Sequence, residues 1–150
     1  MPEIISNTSC LIVLDNIDMI YILRELYGTI TISKEVAEEY GKELPEWVSV
    51  KSVYDKKSVR ILSSFVDPGE ASTIALCIEI ENSIMILDDM KARKLAKKLD
   101  MKFTGTIGVL IKARKLGIID DCMIVISKLK KCGFRMPPEI EKLMLNDESN

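Results

Sequence analysis

The chain has 150 residues, of which 47% are hydrophobic and 29% are charged, and its formal net charge is −2. This composition is typical of one compact globular domain and not of a disordered or membrane-spanning chain. The sequence contains no histidine, which excludes a Ser-His-Asp triad, a Cys-His dyad and a histidine-ligated zinc site. Any chemistry must therefore use carboxylates, lysines, hydroxyls, thiols or a metal ion bound by oxygen atoms.

The N-terminus, MPEIIS, lacks the basic region and the long apolar region of a signal peptide. No apolar run reaches the roughly 18 residues that a membrane helix requires. We therefore expect a cytoplasmic protein with no membrane attachment. The four cysteines have no C-x-x-C spacing, so we expect buried thiols rather than a zinc site or disulfides.

Charge is distributed unevenly along the chain. Residues 1–50 contain three Lys/Arg and nine Asp/Glu, whereas residues 88–115 contain nine Lys/Arg and three Asp. Such a domain can hold cations in one place and polyanions beside it. The simpler interpretation is that the basic residues cover solvated helix faces.

The first half of the chain alternates short strands with helices. The apolar pattern predicts strands over residues 3–6, 29–32 and 47–50, and helices over residues 9–27, 33–40 and 56–65. Ser33 is a candidate N-cap and Gly41 a helix stop. The segment Asp67-Pro68-Gly69-Glu70 predicts another helix start, with a capping box.

The second half continues this alternation. Its apolar pattern predicts a helix to about residue 80, a strand over 83–87, a helix from Asp88-Asp89 to about 99 and a short strand over 101–104. Three more helices are predicted over 106–116, 121–132 and 138–146. Strands alternating with helices imply a parallel sheet with right-handed crossovers. We expect one three-layer α/β domain over residues 1–150, with the helices of residues 121–146 packed on it.

Several polar residues follow predicted strands, where open α/β sheets bind ligands. Asn7, Thr8 and Ser9 follow the first strand, Asp88 and Asp89 follow the strand at 83–87, and Thr106 follows the last strand. Two further acids, Glu39 and Glu70, are expected at the same edge. Helical geometry places Glu39 beside the buried face of its helix and Glu38 towards solvent.

Each of these residues also has a purely structural interpretation. Glu70 completes a capping box, Asp88 or Asp89 suits a helix start, and Asn7 suits a turn or cap. Taken together, however, four acids and an amide at one edge would repel one another unless cations were present. A cluster of oxygen ligands suits Mg²⁺ or Mn²⁺.

Five segments of the chain share a pattern with a known family: IISNTSCLIVL, VAEEYG, DPGEASTIALCIE, ILDDMKARKLAKKLDMKFTGTIGVLIKARKLGII and KKCGFRMPPEIEK. Through them the chain resembles the PIN-domain family over nearly its whole length. The nearest branch is a prokaryotic PIN-like group related to the toxin ribonucleases of VapBC-type toxin–antitoxin pairs. The blocks GEA-x-x-IAL and D-D-x-KAR are moderately specific, and the others are weak alone.

This resemblance implies a three-layer α/β/α fold with a central parallel sheet of four to five short strands, and a metal-dependent ribonuclease. It implies catalytic roles for Glu39, Glu70 and Asp88 in binding Mg²⁺ or Mn²⁺, together with Asp89 and Asn7. It further implies that six residues bind the substrate or its phosphates: Thr8, Ser9, Lys91, Arg93, Lys94 and Thr106. The expected products carry 5′-phosphate and 3′-hydroxyl ends.

Asn7 departs from the family pattern, because the first family acid is usually Asp. An amide still offers an oxygen but binds a hard cation less strongly. The alternative is therefore a degenerate PIN domain that binds RNA or a protein partner without efficient cleavage. The resemblance also implies an antitoxin partner and a homodimer. Apolar residues of the last helix could dock such a partner, although packing on their own domain is the simpler expectation: Ile140, Leu143 and Met144.

Other α/β classes fit less well. A phospho-acceptor receiver domain needs its acidic pair after the first strand, where this chain has Ser-Asn-Thr. No G-x-G-x-x-G motif follows that strand, and no phosphate-cradling P-loop is present.

Overall fold

The computed structural model describes residues 1–146, which form an α/β fold with a five-stranded sheet. All strand pairs are parallel, and the order across the sheet is β3-β2-β1-β4-β5. The strands are β1 Glu3–Ser6, β2 Ile30–Ser33, β3 Val48–Lys51, β4 Ser83–Ile86 and β5 Phe103–Thr104. The predicted parallel α/β architecture is confirmed.

Nine helices lie within residues 1–146. They are α1 Thr8–Asn16, α2 Tyr21–Tyr27, α3 Lys34–Tyr40, α4 Lys56–Leu62, α5 Pro68–Glu79, α6 Met90–Lys98, α7 Thr106–Lys115, α8 Cys122–Lys131 and α9 Pro138–Asn146. Each is too short or too polar to span a bilayer.

The sheet separates two apolar clusters, which makes the fold three-layered. Successive strand residues face opposite sides, so Ile4 and Ile86 pack in one cluster and Ile5 and Met85 in the other. The first cluster includes buried residues of α1, α2, α3, α7 and α8, and also Met144 of α9. The second includes buried residues of α4, α5 and α6.

The helix predicted over residues 9–27 is two helices, so that prediction was wrong. The chain turns after α1, where Asp18 adopts a left-handed φ of 57° and its amide donates to Asp15 O. Aspartate tolerates this conformation better than most residues. Ile17 and Met19, which flank Asp18, are both buried. The apolar spacing therefore continues across a break that it cannot reveal.

The predicted helix ends elsewhere agree with the structure. Ser33 accepts a hydrogen bond from the Val36 amide, and Gly41 ends α3 in the left-handed conformation. Asp67 and Glu70 form a reciprocal capping box at the start of α5. Two elements are shorter than expected, since α4 ends at Leu62 and β5 has only two residues.

Three cysteines are buried as expected, and the fourth is not. Cys10, Cys77 and Cys122 are buried, whereas Cys132 at the end of α8 is exposed. Its thiol lies 3.7 Å from Asn16 O, so it lies at the surface between α8 and α1.

Candidate active site

The strand order reverses between β1 and β4, and this point positions the candidate site. From β1 the chain continues to β2 and β3 on one side, then to β4 and β5 on the other. Ligands of open α/β sheets bind at the carboxyl ends of strands where such a reversal occurs. Asn7 directly follows β1 and Asp88 follows β4 by two residues. The Asn7 amide nitrogen donates to Ile86 O at 3.0 Å, which holds the two strand ends together.

Asn7 is the N-cap of α1. Its side-chain oxygen accepts a hydrogen bond from the Cys10 amide at 3.2 Å, and the residue is 2% exposed. Asn7 therefore is the helix cap that the sequence suggested. It lies at the strand end where a metal ligand was also expected.

Asp88 is held by the start of α7. Its two carboxylate oxygens accept hydrogen bonds from the Thr106 amide at 2.7 Å and the Thr106 hydroxyl at 2.5 Å. A Cβ placed on Gly105 would lie 2.9 Å from Asp88 Oδ1, so the absence of a side chain at Gly105 lets this carboxylate approach. Thr106 is fully buried. It was expected at a substrate phosphate, but its two donors are engaged in positioning Asp88.

Four acids influence one another, and one of them, Asp89, directly follows Asp88. We call Glu39, Asp67, Glu70 and Asp89 the acidic group. Burial, followed by the negative charges of Asp67 and Asp89, raises the pKa of Glu70 from 4.5 to about 7. Burial and the charge of Asp67 also raise the pKa of Glu39. No lysine or arginine within residues 1–146 contributes to either shift. The group therefore concentrates negative charge that the described protein cations do not neutralise.

The Glu39 carboxylate lies against the first turn of α5. A Cβ placed on Gly69 would overlap Glu39 Oε1 and would lie 2.8 Å from Glu39 Cδ. The Thr8 hydroxyl lies near Glu39 and lowers its pKa, which offsets part of the rise. This hydroxyl is buried and forms no hydrogen bond with another residue of the range 1–146. Glu38 and Glu39 are both exposed overall. They differ because only the Glu39 carboxylate lies against Gly69.

Asp67 is the member of the acidic group that sequence reasoning missed as a site residue. The sequence assigned it only the N-cap of α5, which it also is. The N-cap position itself could have indicated that Asp67 lies beside Glu70. An N-cap lies within one helical turn of the third helical residue, so Asp67 had to lie close to Glu70.

The remaining predicted residues differ in how far they are exposed. Lys91, Lys94 and Ser9 are exposed. Arg93 is half-buried, and its guanidinium carbon lies 5.0 Å from the centre of the Phe103 ring. These positions leave the two lysines available to flanking phosphates, but no described contact joins any of the three exposed residues to the acidic group.

The comparisons with known proteins agree with this geometry. A family model described as a PIN domain matches residues 3–149. The chain belongs to the PIN-domain family. PIN domains are generally nucleases and typically use divalent metal ions. The comparisons with curated proteins and with solved structures gave no match.

The donor set of this PIN domain fits a hard divalent cation, although not as a complete cage. Within residues 1–146, no group of three or more His, Cys, Asp or Glu side chains is arranged to hold a metal ion. Mg²⁺ usually keeps several waters and binds through one or two carboxylates together with substrate phosphates. Pairs of carboxylates with unneutralised charge, such as Glu70 with Asp89, suit that mode of binding.

Proposed function

We propose that this PIN-domain protein is a divalent-metal-dependent endoribonuclease and the toxin component of a toxin–antitoxin pair. The observation that supports the nuclease most directly is the pKa of Glu70, raised to about 7 by burial and by Asp67 and Asp89. Carboxylates crowded without a protein cation are stabilised when a bound cation neutralises them. Their location at the strand-order reversal is where an α/β sheet receives a ligand.

Each proposed role follows from a position in the fold. Glu39, Glu70, Asp88 and Asp89 would hold Mg²⁺ or Mn²⁺, with Asn7 as a neutral oxygen donor at the same strand ends. The ion, when bound, supplies Lewis-acid chemistry: it lowers the pKa of water and neutralises charge that develops on the phosphate.

The surrounding residues orient the acids and the RNA. The Thr106 hydroxyl and amide fix the Asp88 carboxylate. The buried Thr8 hydroxyl beside Glu39 can donate to a phosphate oxygen or a water. Lys91, Arg93 and Lys94 on α6 would bind phosphates that flank the cleaved bond, and salt should weaken that binding. Cleavage in this arrangement would leave 5′-phosphate and 3′-hydroxyl ends.

The partner proposals rest on the family resemblance and on exposed apolar side chains of α8 and α9. Met123 and Ile124 on α8 and Leu143 on α9 are exposed and available to a second copy or to an antitoxin. Met144 is fully buried against its own chain and is not available. A homodimer would sediment at about twice the monomer mass of 16.9 kDa, and Met123→Lys/Ile124→Lys should return it to the monomer.

A degenerate PIN domain that binds without cutting is the second candidate. The observation that favours it is Asn7, which carries no charge and whose oxygen already accepts a hydrogen bond from the Cys10 amide. Under this alternative the protein binds RNA but leaves it intact with either metal.

Cleavage of single-stranded RNA by purified protein, with Mn²⁺, with Mg²⁺ and with chelator, tests the proposal. We expect cleavage that requires metal and disappears in Glu70→Gln/Asp88→Asn. The matched control is Glu38→Gln/Asp120→Asn, which removes the same number of charges from exposed positions outside the acidic group. Equal cleavage by the two double variants would contradict the proposed site. No cleavage by a folded native protein that retains RNA binding would favour the degenerate domain.

A further inference from the structure

A cleft of about 470 Å³ opens on the side of Asp88 that faces away from β1. One wall comes from Thr104, Gly105 and the first turn of α7, and the other from the loop between α8 and α9. Its volume lies within the range of small-ligand sites. A second cleft, of about 330 Å³, is lined by Asn82 and Lys102 and contains none of the candidate site residues.

Two arginines give the larger cleft a positive character. Arg93 and Arg135 line it, and Asp88 is its one acidic lining residue within residues 1–146. In that range neither arginine has a carboxylate within 4.0 Å, because the described ion pairs involve other residues. Arg93 Nε is buried and has no hydrogen-bond partner among the described residues. Two guanidinium groups that have no carboxylate partner among residues 1–146 are suited to an anionic ligand.

The same cleft also has an apolar side. Phe134 is half-buried and lines the cleft next to Arg135, with Ile107 and Ile140 as further apolar lining. An aromatic ring beside guanidinium groups matches the chemistry of a nucleotide in a single strand. A base stacks on the ring while the phosphate binds the cations.

We call the acidic group, together with Asn7 and Asp88, the acidic edge. Asp88 joins this edge to the cleft, because it lines the cleft and also follows β4. The glycines of this wall are closely packed, since a Cβ on Gly105 would lie 2.9 Å from Asp88 Oδ1 and a Cβ on Gly108 would overlap Thr104 Oγ1. Because Asp88 belongs to both regions, a strand of RNA with one phosphate at the acidic edge would place an adjacent nucleotide in the cleft.

We propose that this cleft is a nucleotide subsite of the RNA-binding surface. Arg93 and Arg135 bind the phosphate next to the one at the acidic edge, and Phe134 stacks on the attached base. This inference rests on the proposed function for the choice of RNA as ligand. It adds the C-terminal segment, through Phe134 and Arg135, to the substrate-binding residues.

Metal-free RNA binding tests the subsite separately from cleavage. The probe is a short fluorescein-labelled single-stranded RNA, and its anisotropy is measured with chelator present over a series of salt concentrations. We expect Arg135→Gln to weaken binding about 10-fold and to reduce the log–log salt slope by about 0.7, the value for one lost contact to a single strand. Phe134→Leu should weaken binding about 5-fold with an unchanged slope, because it removes stacking and no charge.

Lys131→Gln is the matched control. Lys131 is exposed, is close to Arg135 in sequence and lies outside the cleft. It should change the dissociation constant by less than about twofold. Equal effects of Arg135→Gln and Lys131→Gln would indicate diffuse attraction and overturn the subsite, as would an absence of RNA binding by the native protein. Unchanged thermal unfolding of each variant confirms that folding is intact.

Hexaglutamate as a second probe distinguishes a nucleotide from a generic anion. We expect Phe134→Leu to weaken RNA binding and leave hexaglutamate binding unchanged. If Arg135→Gln weakens both ligands equally and Phe134→Leu weakens neither, the cleft is an anion site for a protein and the base contact is wrong. Native protein that shows the expected binding pattern yet fails to cleave with metal keeps the subsite and contradicts the proposed nuclease.

Discussion

The acidic group contains Asp89, and the arginine-lined cleft contains its neighbour Asp88. Different forces hold the two regions in place. Three of the four members of the acidic group are fixed by short-range hydrogen bonds at helix starts, and the fourth, Glu39, lies against Gly69. Asp67 caps α5, Glu70 completes its capping box, and Asp89 caps α6. Within residues 1–146, no capping hydrogen bond holds either arginine of the cleft. Arg93 is placed by packing against Phe103, and Arg135 is exposed on the loop between α8 and α9.

This difference explains how like charges can be concentrated in a folded protein. Each cap contributes roughly 1 kcal/mol to helix stability, and that gain offsets part of the repulsion between the carboxylates. Burial of the carboxylates and the repulsion that remains between them raise the pKa values of Glu39 and Glu70. Among residues 1–146, no ion pair involves the arginines of the cleft. We therefore expect them to contribute chiefly when an anion is bound. Four predictions test this contrast, from the largest expected effect to the smallest.

The largest effect is expected from removing the hydroxyl that fixes the residue shared by the acidic edge and the cleft. Thr106→Val leaves the half-buried Asp88 carboxylate with one donor fewer, and a hydrogen bond to a charged group is worth about 1.5–3 kcal/mol. We expect the free energy of unfolding to fall by that amount and metal-dependent cleavage to fall at least 10-fold. Thr106→Ser keeps the hydroxyl and should restore both. Equal losses in the Ser and Val variants would contradict the positioning role of Thr106.

The acidic group predicts a particular dependence of stability on pH. The folded pKa of Glu70 is raised from 4.5 to about 7, so the folded state favours the protonated carboxyl group. Its contribution is fully present below about pH 4.5 and is lost as the pH rises to about 7. Allowing for partial exposure, we expect the loss to be about 1–2 kcal/mol. Urea unfolding at about pH 5 and pH 8 measures it.

Glu70→Gln sharpens this test because glutamine also completes a capping box. The variant should show a smaller fall in stability between the two pH values than the native protein. Adding Mn²⁺ to the native protein should reduce the fall as well, because a bound cation favours the ionised carboxylates. A fall of the same size in the native protein and the variant would contradict the assignment to Glu70.

The acidic edge was easier to predict from the sequence than the cleft, and the reason is physical. Helix starts and strand ends have local signals, such as Asp67-Pro68-Gly69-Glu70 and Asp88-Asp89. The parallel topology then brings those ends to one edge. Asp67 was missed as a site residue because a single local role, the cap, accounted for it.

The cleft depends on contacts between distant parts of the chain. Phe134 and Arg135 lie about 40 residues after Arg93 in the sequence, and nothing in their spacing indicates that α8 and α9 bring them beside Asp88. The break in the helix predicted over residues 9–27 was hidden for a related reason. Both of its halves pack on the same apolar cluster, so tertiary packing maintained a pattern that local conformation interrupts.

The substitution Asn7→Asp tests whether a negative charge at residue 7 strengthens metal binding at the acidic edge. Asp is as good an N-cap as Asn, so Asn7→Asp should keep the bond from the Cys10 amide and leave folding intact. The added carboxylate should strengthen Mn²⁺ binding by about 10-fold, measured by calorimetry. Asn7→Ser, which keeps a cap without a charge, is the control. Unchanged metal affinity in Asn7→Asp would remove residue 7 from the site.

The smallest effect on stability, and the sharpest test of close packing, is expected at Gly69. A methyl group there would overlap Glu39 Oε1, but Glu39 is the end of a flexible, exposed side chain and can move aside. Alanine also suits a helix better than glycine, so Gly69→Ala should change the free energy of unfolding by less than about 1 kcal/mol. The displaced carboxylate should move away from Asp67, which lowers the raised pKa of Glu39 towards 4.5 and weakens Mn²⁺ binding. Carbon-detected NMR titration measures the first change. In a Glu39→Gln background, Gly69→Ala should have no further effect on metal affinity, and an additional loss there would show that Gly69 acts through the α5 backbone instead of through Glu39.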